Sequence, residues 1–194
     1  MSQCYQVKLK ESISRVIQHS DTVTYPLELT ELLPKERMLE ILKEVLLQEG
    51  WIESEQNKNT LTKKGTVGED ITLDLESIIV SATLEEEREV STEIEVTQDG
   101  YDRKVAQQQA RDALNQKVGS VGDQIEEQGN RDLKNELIEA LESSDADRQR
   151  DLNQILQQVY GIALKEKAGQ MGEILEVQES QSDDNYELTI RIAH

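Results

Sequence analysis

At Gly100 the spacing of apolar residues changes from every second position to every third or fourth, and this switch constrains the fold more than any other feature. Upstream, Tyr5, Val7 and Leu9 alternate with Gln6, Lys8 and Lys10, the period of a half-buried strand. Val23, Tyr25, Leu27 and Leu29 repeat the pattern, and Pro26, on the opposite parity, places this strand at an edge or weakens its pairing. Residues 11–21 fit either a continued strand or a loop. Ile71, Leu73 and Leu75 form another short strand. Ile78, Val80, Ala82 and Leu84 share even parity, which Val90, Ile94 and Val96 resume beyond the charged residues 85–89. A strand running straight through would turn Glu86 and Arg88 inward. Two strands joined by a charged turn fit the pattern, as does one long ribbon whose middle projects beyond the core.

Downstream, Val105 or Ala106, Ala110, Ala113 or Leu114, Val118, Val121 and Ile125 follow one helical stripe, resumed by Leu133, Leu137, Ile138 and Leu141. Gly119, Gly122 and Gly129 each cost about 1 kcal/mol against Ala in a helix interior, which predicts a kink or break between Val118 and Asn130. Ser143, Ser144 and Asp145 supply turn and cap chemistry, and Leu152, Ile155, Leu156, Val159, Ala163, Leu164 and Ala168 begin a second stripe. Two helices with facing stripes, an antiparallel hairpin, are expected. Gly169 and Gly172 then stop the helix. Ile174 to Val177 and the alternating Tyr186, Leu188, Ile190 and Ile192 make a terminal β-hairpin around the polar turn at residues 180–185.

In the first half, Pro34 opens and Gly50 caps a helix over residues 34–49, whose Leu39, Leu42, Val45 and Leu46 recur at helical spacing. Trp51 and Ile52 begin a strand, Asn57 and Asn59 bound a polar turn, and Leu61 begins the return strand. The predicted class is α+β: an antiparallel sheet, one short helix, and a long antiparallel helical hairpin inserted before a C-terminal β-hairpin. The expected parts are a β-rich stretch over residues 1–99, the helical hairpin over 100–170, and the β-hairpin over 171–194 joining the first sheet. A single domain is favoured over two units divided near Gly100.

Charge excludes several functions. Against 21 Lys and Arg stand 40 Asp and Glu, a net charge of -19, and residues 69–99 hold eleven acids with Arg88 as their one base. A field of that sign repels phosphate backbones and anionic headgroups, so neither nucleic-acid binding nor membrane insertion is expected. No apolar run approaches the roughly 20 residues of a membrane span. The N-terminus lacks the apolar run of a secretory signal, and the single Cys4 cannot form an internal bridge, which predicts a cytoplasmic protein.

Catalytic sets are not legible. His19 reads as part of a polar loop, His194 ends the sequence, and Cys4 has the parity of a surface thiol. Glu85, Glu86, Glu87 and Glu89 are the candidate metal ligands if their segment folds back, although Glu clusters in so acidic a chain arise readily as a solvated face. Asp145, Asp147 and Asp151 superficially resemble the start of a calcium loop but lack its glycine and closing glutamate. Asp183 and Asp184 suit a hairpin turn for backbone reasons. Gly65 and Gly68 lack the residues that complete a phosphate loop. Arg148 and Arg150 read as salt-bridge lacing of an exposed helical face, and Trp51 as core. No cofactor is expected. Interaction surface remains: an acidic adaptor leads, with a divalent-metal-dependent enzyme using the Glu cluster and a structural subunit of a homo-oligomer as rival classes.

Three stretches carry a family resemblance: CYQVKLKESISRVIQHSDTVTYPLEL with the LLP-led helix ending EGW, then LDLESIIVSATLEEEREV, then LNQILQQVYGIALKEKAGQMGEILEVQES with YELTIRI. Together they resemble a bacterial family of small, non-catalytic accessory domains of FtsH ternary systems. The ending alone is also similar to an uncharacterised cyanobacterial and plastid-encoded family. The resemblance implies an accessory protein working beside an FtsH- or MoxR-type AAA+ ATPase, and transfers no catalytic motif.

Overall fold

The computed structural model describes residues 4–182 and 185–193. The strand β1 runs unbroken over Tyr5–Pro26, because odd parity persists through the ambiguous residues 11–21: Ile13 and Ile17 are buried and Arg15, His19 and Asp21 half-buried. His19 therefore lies in a strand, not in the expected loop. The helix α1 (Lys35–Gln48) is followed by β2 (Ile52–Glu53), β3 (Thr60–Lys64), β4 (Asp70–Asp74) and β5 (Ile79–Gly100). Of the two alternatives for residues 78–96, the ribbon is the one observed: β5 carries Glu86 and Arg88 on its inward parity, half-buried, without a turn. The sheet order is β1-β5-β4-β3-β2, with β1 at one edge, as Pro26 requires.

The long helical hairpin comprises α2 (Arg103–Ser143) and α3 (Asp145–Met171), bent at Ser144, and β6 (Glu173–Ser182) and β7 (Asn185–Ala193) close the chain. Helical hydrogen bonding continues across the bend, from Ser144 N–H to Ala140 O at 3.2 Å and from Arg148 N–H to Ser144 O at 3.1 Å. The antiparallel sheet, short helix, helical hairpin and terminal β-hairpin are the α+β architecture that the periodicity predicts.

Two compact units form, one from Met1–Asp21 with Glu85–Glu139 and the other from Thr22–Leu84 with Ala140–His194. Neither coincides with the parts divided near Gly100 and residue 170, since the divisions fall within β1, β5 and α2. In the first unit, Leu9 and Ile13 of β1 and Ile94 and Val96 of β5 pack with Leu114, Val118, Val121 and Ile125 of α2. The α2 stripe is thus buried on strands, where facing helical stripes were expected. Of the kink or break expected here, the break does not occur: helix α2 runs on through Gly119, Gly122 and Gly129. A Cβ at Gly122 would press on the Arg15 guanidinium, and one at Gly129 would stand 3.0 Å from Ile17 Cδ1 and 3.2 Å from Val90 Cγ1. Close packing against these side chains offsets the low helix propensity.

In the second unit α1 buries Met38, Ile41, Leu42, Val45 and Leu46 completely, each contributing about 1.5–3 kcal/mol. Gly50 ends this helix at φ +83°, with Gly50 N–H reaching Leu47 O and Trp51 N–H reaching Leu46 O at 3.0 Å, a Schellman closure. That reversal drives Trp51 into a core shared with Leu61, Leu73, Val80 and the α3 residues Leu152, Ile155 and Val159. The strands β6 and β7 form a separate two-stranded antiparallel sheet, which corrects the expectation that they join the first. Their ladder is satisfied by each other, Leu188, Ile190 and Ile192 lie along Leu164 and Ala168 of α3, and the edge strand β2 offers only two residues for pairing.

Candidate functional site

The strongest convergence of polar groups lies where α3 begins beside the β3–β4 turn, within the second unit. Glu69 has the parity of Ile71, Leu73 and Leu75, so the pleat carries it inward, and Arg148 lies four residues before Leu152 on the buried stripe of α3. Both are buried, at 0% and 4% exposure. Arg148 Nη1 donates to Glu69 Oε1 at 3.2 Å and to Ser144 Oγ, while Nη2 donates to Leu141 O at 2.7 Å and to Asp145 Oδ1 at 3.3 Å. The second carboxylate oxygen of Glu69 accepts Val67 N–H at 3.0 Å.

Turn geometry makes this possible. Gly65 N–H bonds Glu69 O at 2.8 Å, and the Glu69 carboxyl folds over Gly65 where a Cβ would collide with it. Gly68, at φ +89°, is left-handed. The two glycines that might suggest a phosphate loop serve a buried carboxylate instead. Beside them Trp51, Lys63, Thr66, Ile71, Arg148 and Leu152 help line a cavity of about 190 Å³. The Tyr25 hydroxyl feels the Arg148 charge, yet burial dominates and raises its pKa above the ordinary phenol value.

Arg148 is thus a buried ion-pair partner rather than part of an exposed face, whereas Arg150 keeps its expected role, pairing with Asp147 at 2.9 Å near solvent. Register could have located both Glu69 and Arg148, since each occupies an apolar position of its element. The candidate metal ligands are separated by the pleat: Glu85, Glu87 and Glu89 are exposed on one face of β5, and Glu86 on the other pairs with Arg88 at 2.8 Å. Arg88 also reaches Glu136 at 2.6 Å, and these two carboxylates raise its pKa further above its ordinary range. Asp145, Asp147 and Asp151 occupy the first turns of α3, not a loop. Among the described residues no group of three or more His, Cys, Asp or Glu side chains is placed to hold a metal ion. Cys4 is exposed, while His194, Asp183 and Asp184 lie outside the described residues.

This arrangement has the chemistry of positioning: carboxylate, guanidinium and hydroxyl are engaged with one another, and the residues brought together include no cysteine or histidine nucleophile. Among the described residues no helix is long and apolar enough to cross a membrane. The family described as FtsH ternary system domain X5 matches residues 1–193, and the chain belongs to it. No curated protein and no solved structure matches.

Proposed function

We propose, from membership of the FtsH ternary system domain X5 family, that this protein is a non-catalytic adaptor that binds an AAA+ ATPase of the FtsH or MoxR type. The match spanning residues 1–193 carries this reading, because the surfaces those residues present belong to a domain described by its place in that system. The charge of -19 supports it: it favours a basic docking face on the partner and disfavours nucleic acid or anionic lipid. The exposed Glu85, Glu87 and Glu89 row on β5 belongs to that acidic surface. A cytoplasmic setting accords with the single, exposed Cys4.

The test is reconstitution. Tagged protein is retrieved from its own host, any recovered FtsH- or MoxR-type ATPase is purified, and the pair is run together by size exclusion at low and high salt. The expected result is a complex that weakens with salt. Purified ATPase that does not associate with the protein, with or without nucleotide, would end the adaptor reading.

A further inference from the structure

We propose that the free edge of β7 pairs with β7 of a second copy of this chain, antiparallel and centred on Thr189, so that the two terminal hairpins become one four-stranded sheet. The strands β6 and β7 form a sheet of their own, so each keeps one edge that pairs with no other strand among the described residues. The two edges differ. In β6, Leu175 is left unpaired between the pairs Ile174–Ile192 and Glu176–Arg191, a bulge that twists this edge away from flat pairing. In β7 every residue from Tyr186 to Ala193 is paired in turn, which leaves its outer edge regular.

The sequence of β7 is self-complementary. Glu187, Thr189 and Arg191 are exposed, and Tyr186, Leu188, Ile190 and Ile192 alternate with them, half-buried on the face toward α3. In an antiparallel pair about Thr189, Glu187 of each copy lies opposite Arg191 of the other, and Leu188 lies opposite Ile190. Both charged pairs are then attractive, and the apolar residues share one face. Moving the centre to Glu187 or to Arg191 sets like charges opposite each other, which selects the register. Arg191 Nη1 holds Glu176 of its own chain at 3.0 Å, yet the side chain remains 71% exposed, so its other donors are open to a second carboxylate. The adjoining surface fits this occupant. A groove of about 240 Å³ lies between α3 and β7, lined by Leu164, Ala168 and Met171 with Leu188, Ile190 and Ile192, and by no described residue of β6. Leu188 and Ile190 of the second copy fall on this same face and continue its apolar floor. The contact rests on the second unit alone and is independent of the ATPase reading.

Sedimentation velocity of the full-length chain at physiological salt, which screens the general repulsion between two chains of charge -19, should show a reversible dimer. Glu187→Arg and Arg191→Glu should each weaken it at least tenfold, about 1.4 kcal/mol, by setting like charges opposite each other. An equimolar mixture of the two variants should recover wild-type association, because each pair across the contact is again Glu with Arg. A cysteine arm reads the register without altering Arg191. In a Cys4→Ser background, Thr189→Cys should form a disulfide-linked dimer under mild oxidation with diamide, since the two Cα atoms would lie about 4.5–5.5 Å apart. Glu187→Cys, equally exposed, should not, since its two copies would lie about 14 Å apart along the strands. A chain that stays monomeric at about 0.1 mM overturns a second copy as the occupant. A dimer that neither charge reversal weakens, a mixture that fails to recover, or cross-linking of Glu187→Cys as readily as Thr189→Cys overturns the β7 pairing.

Discussion

The Tyr186 hydroxyl stands over Gly161, where any side chain at that position of α3 would meet it, and donates to Glu179 Oε1 at 2.5 Å. Lys165 Nζ reaches the other oxygen of the same carboxylate at 2.7 Å, so the β-hairpin is held to α3 by a phenol, a carboxylate and an ammonium around a buried glycine. Gly161→Ala should therefore destabilise the protein by about 1–3 kcal/mol by overpacking, although Ala is the better helix former by about 1 kcal/mol. In a Tyr186→Ala background the same change should become stabilising. Urea denaturation of the four proteins checks the change of sign, and a stabilising Gly161→Ala in both backgrounds would show that the hydroxyl moves aside at no cost.

Tyr186 should also titrate late. Burial and the bond to Glu179 push its pKa up to about 12. Since this folded value lies above the ordinary phenol value of ~10, the stability it contributes is complete below pH ~10 and disappears as pH rises through about 12. Phenolate absorbance of the wild type minus Tyr186→Phe should show that midpoint, and the stability difference between the two should shrink across that window. A difference spectrum centred at the ordinary phenol value would contradict the docked geometry.

Arg148→Met should cost about 3–5 kcal/mol, because it strands the Glu69 carboxylate in the interior. The double change Glu69→Met with Arg148→Met should recover most of that loss, since an apolar pair removes the stranded charge. Arg150→Met, which removes an exposed pair, should stay within about 0.5 kcal/mol. Chemical denaturation orders the three, and a double variant no better than Arg148→Met would mean that packing, not charge, governs the position.

The glycines of α2 should separate by their surroundings. A Cβ at Gly119 meets open space, so Gly119→Ala should stabilise by up to about 1 kcal/mol. Gly129→Ala must displace Ile17 and Val90 and should forfeit that gain or destabilise. Melting temperatures of the two variants decide it, and equal gains would show that the strand side chains yield freely.

Nucleic acid should not be retained. With a charge of -19, and with Lys8 and Lys10 already paired to Glu95, counterion release has few cations to draw on. Filter retention of single- and double-stranded DNA and RNA at physiological salt should give no signal above background. Salt-sensitive retention would reveal a basic surface assembled by the fold.

Alternation and helical stripes made most elements legible, and the failures have physical causes. Ile13 and Ile17 are four apart, a spacing that serves helix and strand alike, so residues 11–21 stayed ambiguous until paired with neighbours. Gly122 and Gly129 read as breaks because propensity weighs a helix alone, not the Arg15, Ile17 and Val90 side chains that use the space. Glu69 and Arg148 occupy inward positions of their patterns, but a charge reads as surface until its partner is known, and this partner lies 79 residues away. The alternation of β6 and β7 marks them as strands without naming the sheet they enter.

Each compact unit is assembled from two separated stretches of chain, and this governs when either can form during synthesis. The first unit cannot close until α2 has left the ribosome, so Leu9 and Ile13 wait for Leu114 to Ile125 with their apolar faces uncovered. The second cannot close until α3 follows, and the buried Glu69 meets Arg148 only then. A ribosome stalled near residue 100 would hold parts of both units and the whole of neither. Nascent chains of increasing length should therefore gain protease resistance late, in one step as α2 emerges and another as α3 does.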